Sequence, residues 1–141
     1  MLHCKPMSTP LEVKFKIDAD ITSIVDPSQF RRIVGALQYL TPTQPDLSYS
    51  VNYVSQFMHN PTVAHLKLVQ RILRYLKGTI ATGLRLSSKT TLELHAFSNA
   101  DWAGCLTTRR STTGYCTFLG TNIISWCVKK TTHNLSIQYQ S

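Results

Sequence analysis

The sequence predicts an α+β protein, a three-helix subdomain followed by a three-stranded antiparallel sheet. Two observations predict it. Before residue 80, three stretches each open at a proline and then repeat apolar residues at helical spacing. From residue 92 the pattern changes to three short runs rich in β-branched and aromatic residues, separated by polar turns. With 141 residues the chain can enclose a core, since a chain of this length hides about two-thirds of its unfolded surface.

The elements follow in order. Near the N-terminus, Val13, Phe15 and Ile17 alternate with Lys14, Lys16 and Asp18, the period of a short strand or extended arm. Helix one is expected from about Pro27 to Leu40, capped by Asp26, with Phe30, Ile33, Val34 and Leu37 on one face. Helix two is expected from about Pro45 to Met58, behind the weaker cap Gln44. It turns Leu47, Val51, Val54 and Met58 inward, beside a stripe of Tyr49, Tyr53 and Phe57. That stripe suits either a base-stacking platform or a core contact with a neighbouring domain. Helix three is expected from about Pro61 to Lys77, capped by Asn60 and ended by Gly78. Its inward side is Leu66, Val69, Leu73 and Leu76. Strands are expected at about Leu92 to Asn99, Thr113 to Leu119 and Ile123 to Lys129. A two-residue loop at Thr121-Asn122 would set Cys116 opposite Cys127 and Thr117 opposite Trp126.

Charge separates the two parts. The net charge is +8. Residues 1–60 carry five basic and five acidic side chains, and residues 61–141 carry ten basic and two acidic. A one-sided basic balance favours a polyanionic partner, nucleic acid first among them, over a merely solvated face. On helix three, Lys67, Arg71 and Arg74 recur at i, i+4, i+7 and share one side, with Lys77 nearby, a row that can follow a phosphate backbone. Arg109 and Arg110 add a basic loop after the first strand. The four cysteines (Cys4, Cys105, Cys116 and Cys127) form no Cys-x-x-Cys pair and lack a His at zinc-ligand spacing, so free thiols are expected. The N-terminus has neither the apolar run of a secretory signal nor a bilayer-length segment, which points to an intracellular chain without a membrane partner.

Residues Phe97 to Gly104 (FSNADWAG), Arg109 to Tyr115 (RRSTTGY) and Ile124 to Lys130 (ISWCVKK) resemble the start of the ribonuclease H domain of copia-type retrotransposon polyproteins. FRRIVGALQYLTPTQPDLSYSVNYVSQFMHNP and HLKLVQRILRYLKGTIATGL resemble the helical region behind the polymerase palm of the same family, and MLHCKPMSTPL the segment joining the two. The resemblance implies four parts. Residues 1–25 would be a connecting arm, 26–80 the helical region, 81–130 the first part of a ribonuclease H-like domain, and 131–141 a tail outside the family pattern. It also implies a chain that begins inside a longer gene.

Two departures from the family bear on chemistry. Its Thr-Arg-Pro-Asp is Thr43-Gln44-Pro45-Asp46 here, with the loss of a positive charge. Its Ser-Asp-Ala-Asp is Ser98-Asn99-Ala100-Asp101 here. The resembled nuclease binds Mg²⁺ through clustered carboxylates, which activate a water and stabilise the leaving oxygen. Asn99 keeps the shape of the first carboxylate and loses its charge, and Asp101 is left as a weak remnant ligand. The family's second carboxylate lies in a segment after the third strand. Here Thr131 to Ser141 (TTHNLSIQYQS) contain no acid, and they read as a frameshifted copy of that segment, which sequencing of the gene would check. The polymerase's Asp-Asp pair occurs nowhere in the chain. The expectation is therefore a degenerate Pol fragment that is not an enzyme on its own, has no catalytic or metal-binding residues and needs no cofactor. Nucleic acid, as RNA–DNA hybrid or DNA, would bind through Lys67, Arg71, Arg74, Arg109 and Arg110. The alternative is a domesticated, non-catalytic nucleic-acid-binding module. A sheet lacking covering helices would expose Ile, Phe and Trp side chains and favour self-association.

Overall fold

A computed structural model describes residues 4–12, 26–101 and 111–130. Arg109, Arg110, Cys105, the alternating stretch at Val13 to Ile17 and the tail from Thr131 lie outside the described residues. The chain forms two compact units, Met1–Leu84 and Arg85–Ser141. The first is helical and the second is a sheet, as the α+β expectation requires. Among the described residues, no helix is long and apolar enough to cross a membrane.

Helix α1 spans Pro27–Leu40, the expected bounds. Asp26 Oδ1 accepts from the Ser28 N–H at 3.0 Å, which satisfies one of the donors that a helix start leaves open. The Ser28 hydrogen bonds, side chain and backbone, hold the Asp26 carboxyl below its ordinary pKa. Phe30, Val34 and Leu37 are buried, and Ile33 flanks them.

The second helix is shorter than expected. Pro45–Leu47 is a 3₁₀ turn, and α2 runs only from Ser48 to Ser55. The causes are local. Gln44 makes no side-chain cap. At the other end the Ser55 hydroxyl donates back to the Asn52 carbonyl at 2.7 Å, and Phe57 and Met58 close three-residue bonds to Val54 and Ser55. Arg31 Nε then donates to the Met58 carbonyl at 3.0 Å, fixing the turn against α1. Leu47, Val51 and Val54 are buried as expected, while Met58 is only partly covered.

Helix α3 spans Val63–Thr79, and both ends differ from expectation. Thr62, not Asn60, is the cap. Its hydroxyl oxygen accepts from the His65 N–H at 3.5 Å, and its own N–H donates to His65 Nδ1 at 3.0 Å. This is a reciprocal capping box with an imidazole in place of the usual Glu or Gln. The buried side is Ala64, His65, Leu68, Val69 and Ile72, with Leu66, Leu73 and Leu76 at its margins. At the other end the helix continues through Gly78. The glycine sits in a tight place instead, because a Cβ there would stand 3.0 Å from Pro6 Cβ.

The sheet has strand order β1-β2-β3, all antiparallel: β1 is Leu94–Asp101, β2 Thr112–Leu119 and β3 Asn122–Lys130. The turn between β2 and β3 is Gly120-Thr121, not Thr121-Asn122. Gly120 has φ +57, a conformation that L side chains rarely adopt. A register shift beyond Phe118↔Ile123 then leaves Ile124 as the bulged residue. Cys116 therefore faces Trp126, and Cys127 faces Tyr115. Cys4, Cys116 and Cys127 are free thiols. Phe97 and Ile124 are exposed as expected, Tyr115 is exposed too, and Trp126 is half-buried. The fully buried side chains belong to the helical unit, and none is found among the described residues of the sheet unit. At about 1.5–3 kcal/mol for each large apolar side chain removed from water, the helical unit holds most of the hydrophobic stabilisation.

Burial lowers the His65 pKa. The neutral ring accepts from Thr62, and the unfolded chain takes up the proton more readily. Stability is thus complete above the ordinary imidazole pKa of about 6.5 and falls as the pH drops below it. The melting temperature should decline between about pH 7 and pH 5, and His65→Gln, which keeps a side-chain acceptor at the capping position, should flatten that decline. Thermal scans by circular dichroism check this. In the sheet unit, a Cβ at Gly120 would run into the Thr90 hydroxyl and stand 2.6 Å from the Thr91 carbonyl. Gly120→Ala should therefore destabilise the sheet by at least about 1–2 kcal/mol, read as a lower urea midpoint.

Candidate functional site

Two places carry chemistry: the basic row of α3 and the end of β1. In the row, Lys67 is exposed. The residues that follow it are in contact with the chain's own N-terminal segment. Arg71 Nη1 pairs with Glu12 Oε1 at 2.6 Å, and its Nη2 donates to Thr9 Oγ1 at 2.9 Å. Arg74 Nε donates to the Lys5 carbonyl at 2.8 Å, and its own carbonyl accepts from Met7 N at 3.3 Å. Lys77 Nζ donates to the Cys4 carbonyl at 3.0 Å. Leu11 packs on the core beside them, and Pro6 sits over Gly78. Residues 4–12 therefore run along α3, and one carboxylate, one hydroxyl and two carbonyls meet the row. The Arg71 side chain is only 18% exposed. Sequence periodicity put these cations on one side correctly. It did not show that a segment about sixty residues earlier lies across them, because Glu12 and Thr9 have no local pattern linking them to Arg71.

The aromatic stripe is divided. Tyr49 is exposed. Tyr53 meets Phe57 edge-on at 5.4 Å, and Phe57 stacks on the His65 ring at 3.8 Å. Phe57 thus supports the capping imidazole and is not a free stacking surface. Tyr75, at the far side of α3, donates to Asp46 Oδ2 at 2.5 Å, and this bond raises its pKa. An apolar groove of about 450 Å³ between α1 and α3 is lined by Ile33, Ala36, Leu40 and Leu73, with Arg32 as its one charged member.

At the end of β1, Asn99 pairs with Gly114 and Asp101 with Thr112, so the two side chains share a sheet side two residues apart. Both are exposed. His95 lies on the same side, with Nε2 3.7 Å from Glu93 Oε2. Among the described residues, no group of three or more His, Cys, Asp or Glu side chains is placed to hold a metal ion. One amide and one carboxylate supply a single negative charge, which does not suit a pair of bound Mg²⁺ ions.

The chain is 58% identical over 130 residues to the uncharacterized mitochondrial protein AtMg00810 of Arabidopsis thaliana, a match covering 92% of this chain and 54% of that protein. It is 50% and 49% identical over 131 residues to the retrovirus-related Pol polyproteins from transposons RE1 and RE2 of the same plant. Those matches cover 92% of this chain and 9% of each polyprotein. The chain belongs to the copia-type retrotransposon Pol family, and it spans about half of the mitochondrial relative and 9% of each polyprotein. No protein-family profile matches the chain, and no solved structure matches it.

Replacing Arg71 with Ala should free the N-terminal segment from α3. The Glu12 partner is 55% exposed and screened by solvent, so the stability cost should stay within about 1 kcal/mol. Proteolysis within residues 4–12 should be faster in the variant, read by mass spectrometry of the early cleavage products.

Proposed function

We propose that this chain is a catalytically silent Pol segment whose remaining chemistry is salt-sensitive association with nucleic acid. One observation carries the silent reading: the strand-end position that the resembled nuclease fills with a metal-binding aspartate is Asn99. A neutral amide cannot share the charge of two dications, and Asp101 alone cannot replace the lost ligand.

Charge supports the binding reading. The excess of basic side chains lies after residue 60. Lys67, Arg71 and Arg74 form a row on α3, and Arg109 with Arg110 adds a second cluster. Each contact with a phosphate releases counterions, so affinity falls as salt rises. Glu12 competes for Arg71, and the α3 row should bind less tightly than its charge suggests. The relevant nucleic acid is the RNA–DNA hybrid, with duplex DNA as the comparison.

Purified full-length chain with Mg²⁺ should leave the RNA strand of a labelled hybrid intact. Its affinity for the hybrid, read by fluorescence anisotropy, should fall on the order of tenfold or more between about 50 and 200 mM salt. Replacing Lys67, Arg71 and Arg74 together with Ala should flatten the salt slope by about two to three. Mg²⁺-dependent cleavage that disappears in Asp101→Asn would overturn the silent reading. Binding that ignores both salt and the triple replacement would overturn the nucleic-acid reading.

A further inference from the structure

We infer that Thr9 is a phosphorylation site for a proline-directed protein kinase, and that its phosphate clamps residues 4–12 onto α3 through Arg71. The inference does not depend on nucleic acid. Threonine or serine precedes proline twice in the chain, at Thr9-Pro10 and Thr41-Pro42. Proline favours an extended residue before it and offers a ring in place of an N–H, the feature that this class of kinase reads. The two sites differ in what a kinase could reach. Thr41 ends α1 in a helical conformation (φ −60, ψ −31), and its hydroxyl donates to the Gln38 carbonyl at 2.8 Å. Thr9 lies outside any helix or strand and is exposed, as is Ser8 beside it.

Arg71 is built to receive the phosphate. Its guanidinium is a planar fork, and one edge of it is formed by Nη2 together with Nε. Nη1 pairs with Glu12 Oε1 at 2.6 Å, and Nη2 donates to Thr9 Oγ1 at 2.9 Å. Nε is buried and has no hydrogen-bond partner among the described residues. The edge that meets Thr9 therefore has one donor filled and one open. A phosphate on Thr9 Oγ1 brings three strong acceptor oxygens to that edge. Two of them can accept from Nη2 and Nε side by side, the bidentate geometry in which arginine holds phosphate most firmly. Glu12 keeps Nη1.

Charge and order favour the clamp. Phosphothreonine carries about −1.5 to −2 charges near pH 7. Arg71, Arg74 and Lys77 meet the segment from α3, and Lys67 lies one turn before Arg71 on the same side, while Glu12 is the acid that the segment sets against them. The added charge moves this surplus of cations toward neutrality. Arg74 and Lys77 already hold the Lys5 and Cys4 carbonyls, so the phosphate tightens a segment that is aligned beforehand, and little new ordering opposes it. The segment is tied by side-chain contacts and by the Met7 N–H bond to the Arg74 carbonyl at 3.3 Å, so it can leave α3 to enter a kinase cleft. The kinase supplies MgATP. Thr9 Oγ1 attacks the γ-phosphorus, the bond from that phosphorus to the ADP oxygen breaks, and the hydroxyl proton passes to the base of the kinase.

Incubation of the full chain with MgATP and a purified mitogen-activated protein kinase tests the inference. Peptide mapping by mass spectrometry should place phosphate on Thr9 and not on Thr41, and Thr9→Ala should remove it. Cleavage within residues 4–12 by a protease of broad specificity should slow on the order of tenfold once Thr9 is phosphorylated. In Arg71→Ala the same phosphate should leave the cleavage rate unchanged, which separates the clamp from any direct effect of phosphate on the protease. Arg71→Lys keeps the charge without the fork and should recover only part of the protection. A chain that the kinase leaves unmodified at Thr9, a phosphorylated wild type cut as fast as the unmodified chain, or protection that persists in Arg71→Ala would each overturn the inference.

Discussion

The helical unit depends on burial of one apolar strip on α3. Leu68, Val69 and Ile72 are each no more than 1% exposed and form a cluster with Phe30, Val34 and Leu37 of α1, Val51 and Val54 of α2, and Leu47 of the turn before α2. Other features of the unit follow from the position of that strip. The capping imidazole of His65 belongs to the same buried side, which explains why burial, and not a charged neighbour, lowers its pKa. The row Lys67, Arg71, Arg74 lies off that side. The segment 4–12 settles along α3, with Leu11 on the core, Pro6 over Gly78 and Glu12 on Arg71.

The sheet unit rests on different forces. Its strands are held by backbone ladders and by a few side-chain contacts, such as the edge-to-face pair of Phe97 and Phe118 at 5.9 Å. Its turn is stitched to the segment before β1. Asn122 exchanges hydrogen bonds with the Ser87 backbone at 2.8 and 2.9 Å, and the Thr90 hydroxyl accepts from Thr121 N–H at 2.9 Å. This network explains the need for glycine at position 120, where the Thr90 and Thr91 oxygens fill the space of a side chain. It also shows how a sheet can keep a defined register with little burial: the polar contacts specify geometry, whereas apolar burial would supply most of the stability.

Much of this architecture was legible in the residues. Asp26-Pro27 marked the start of α1, and the Phe30, Val34, Leu37 spacing marked its buried side. The sites were legible in part. The loss of charge at Asn99 needs no coordinates, and the common side of Lys67, Arg71 and Arg74 follows from helical period alone. The occupation of Arg71 by Glu12 was not legible, since it joins residues far apart in sequence. The role of His65 was missed because a capping box is ordinarily sought as Glu or Gln at that position. Here Phe57 stacks on the ring and holds it where it can accept from Thr62.

The sequence by itself determined the class, the order of elements and the neutral amide at the end of β1. These depend on local propensity, on side-chain period and on the charge of single residues, which are properties of the chain before it folds. The tertiary structure decided where α2 and α3 begin and end, and which residue of the β2–β3 turn takes positive φ. Those outcomes depend on competition between distant groups. Hydroxyls compete with backbone N–H groups for helix carbonyls, Pro6 crowds a glycine on α3, and a bulge at Ile124 shifts one strand while β1 stays regular.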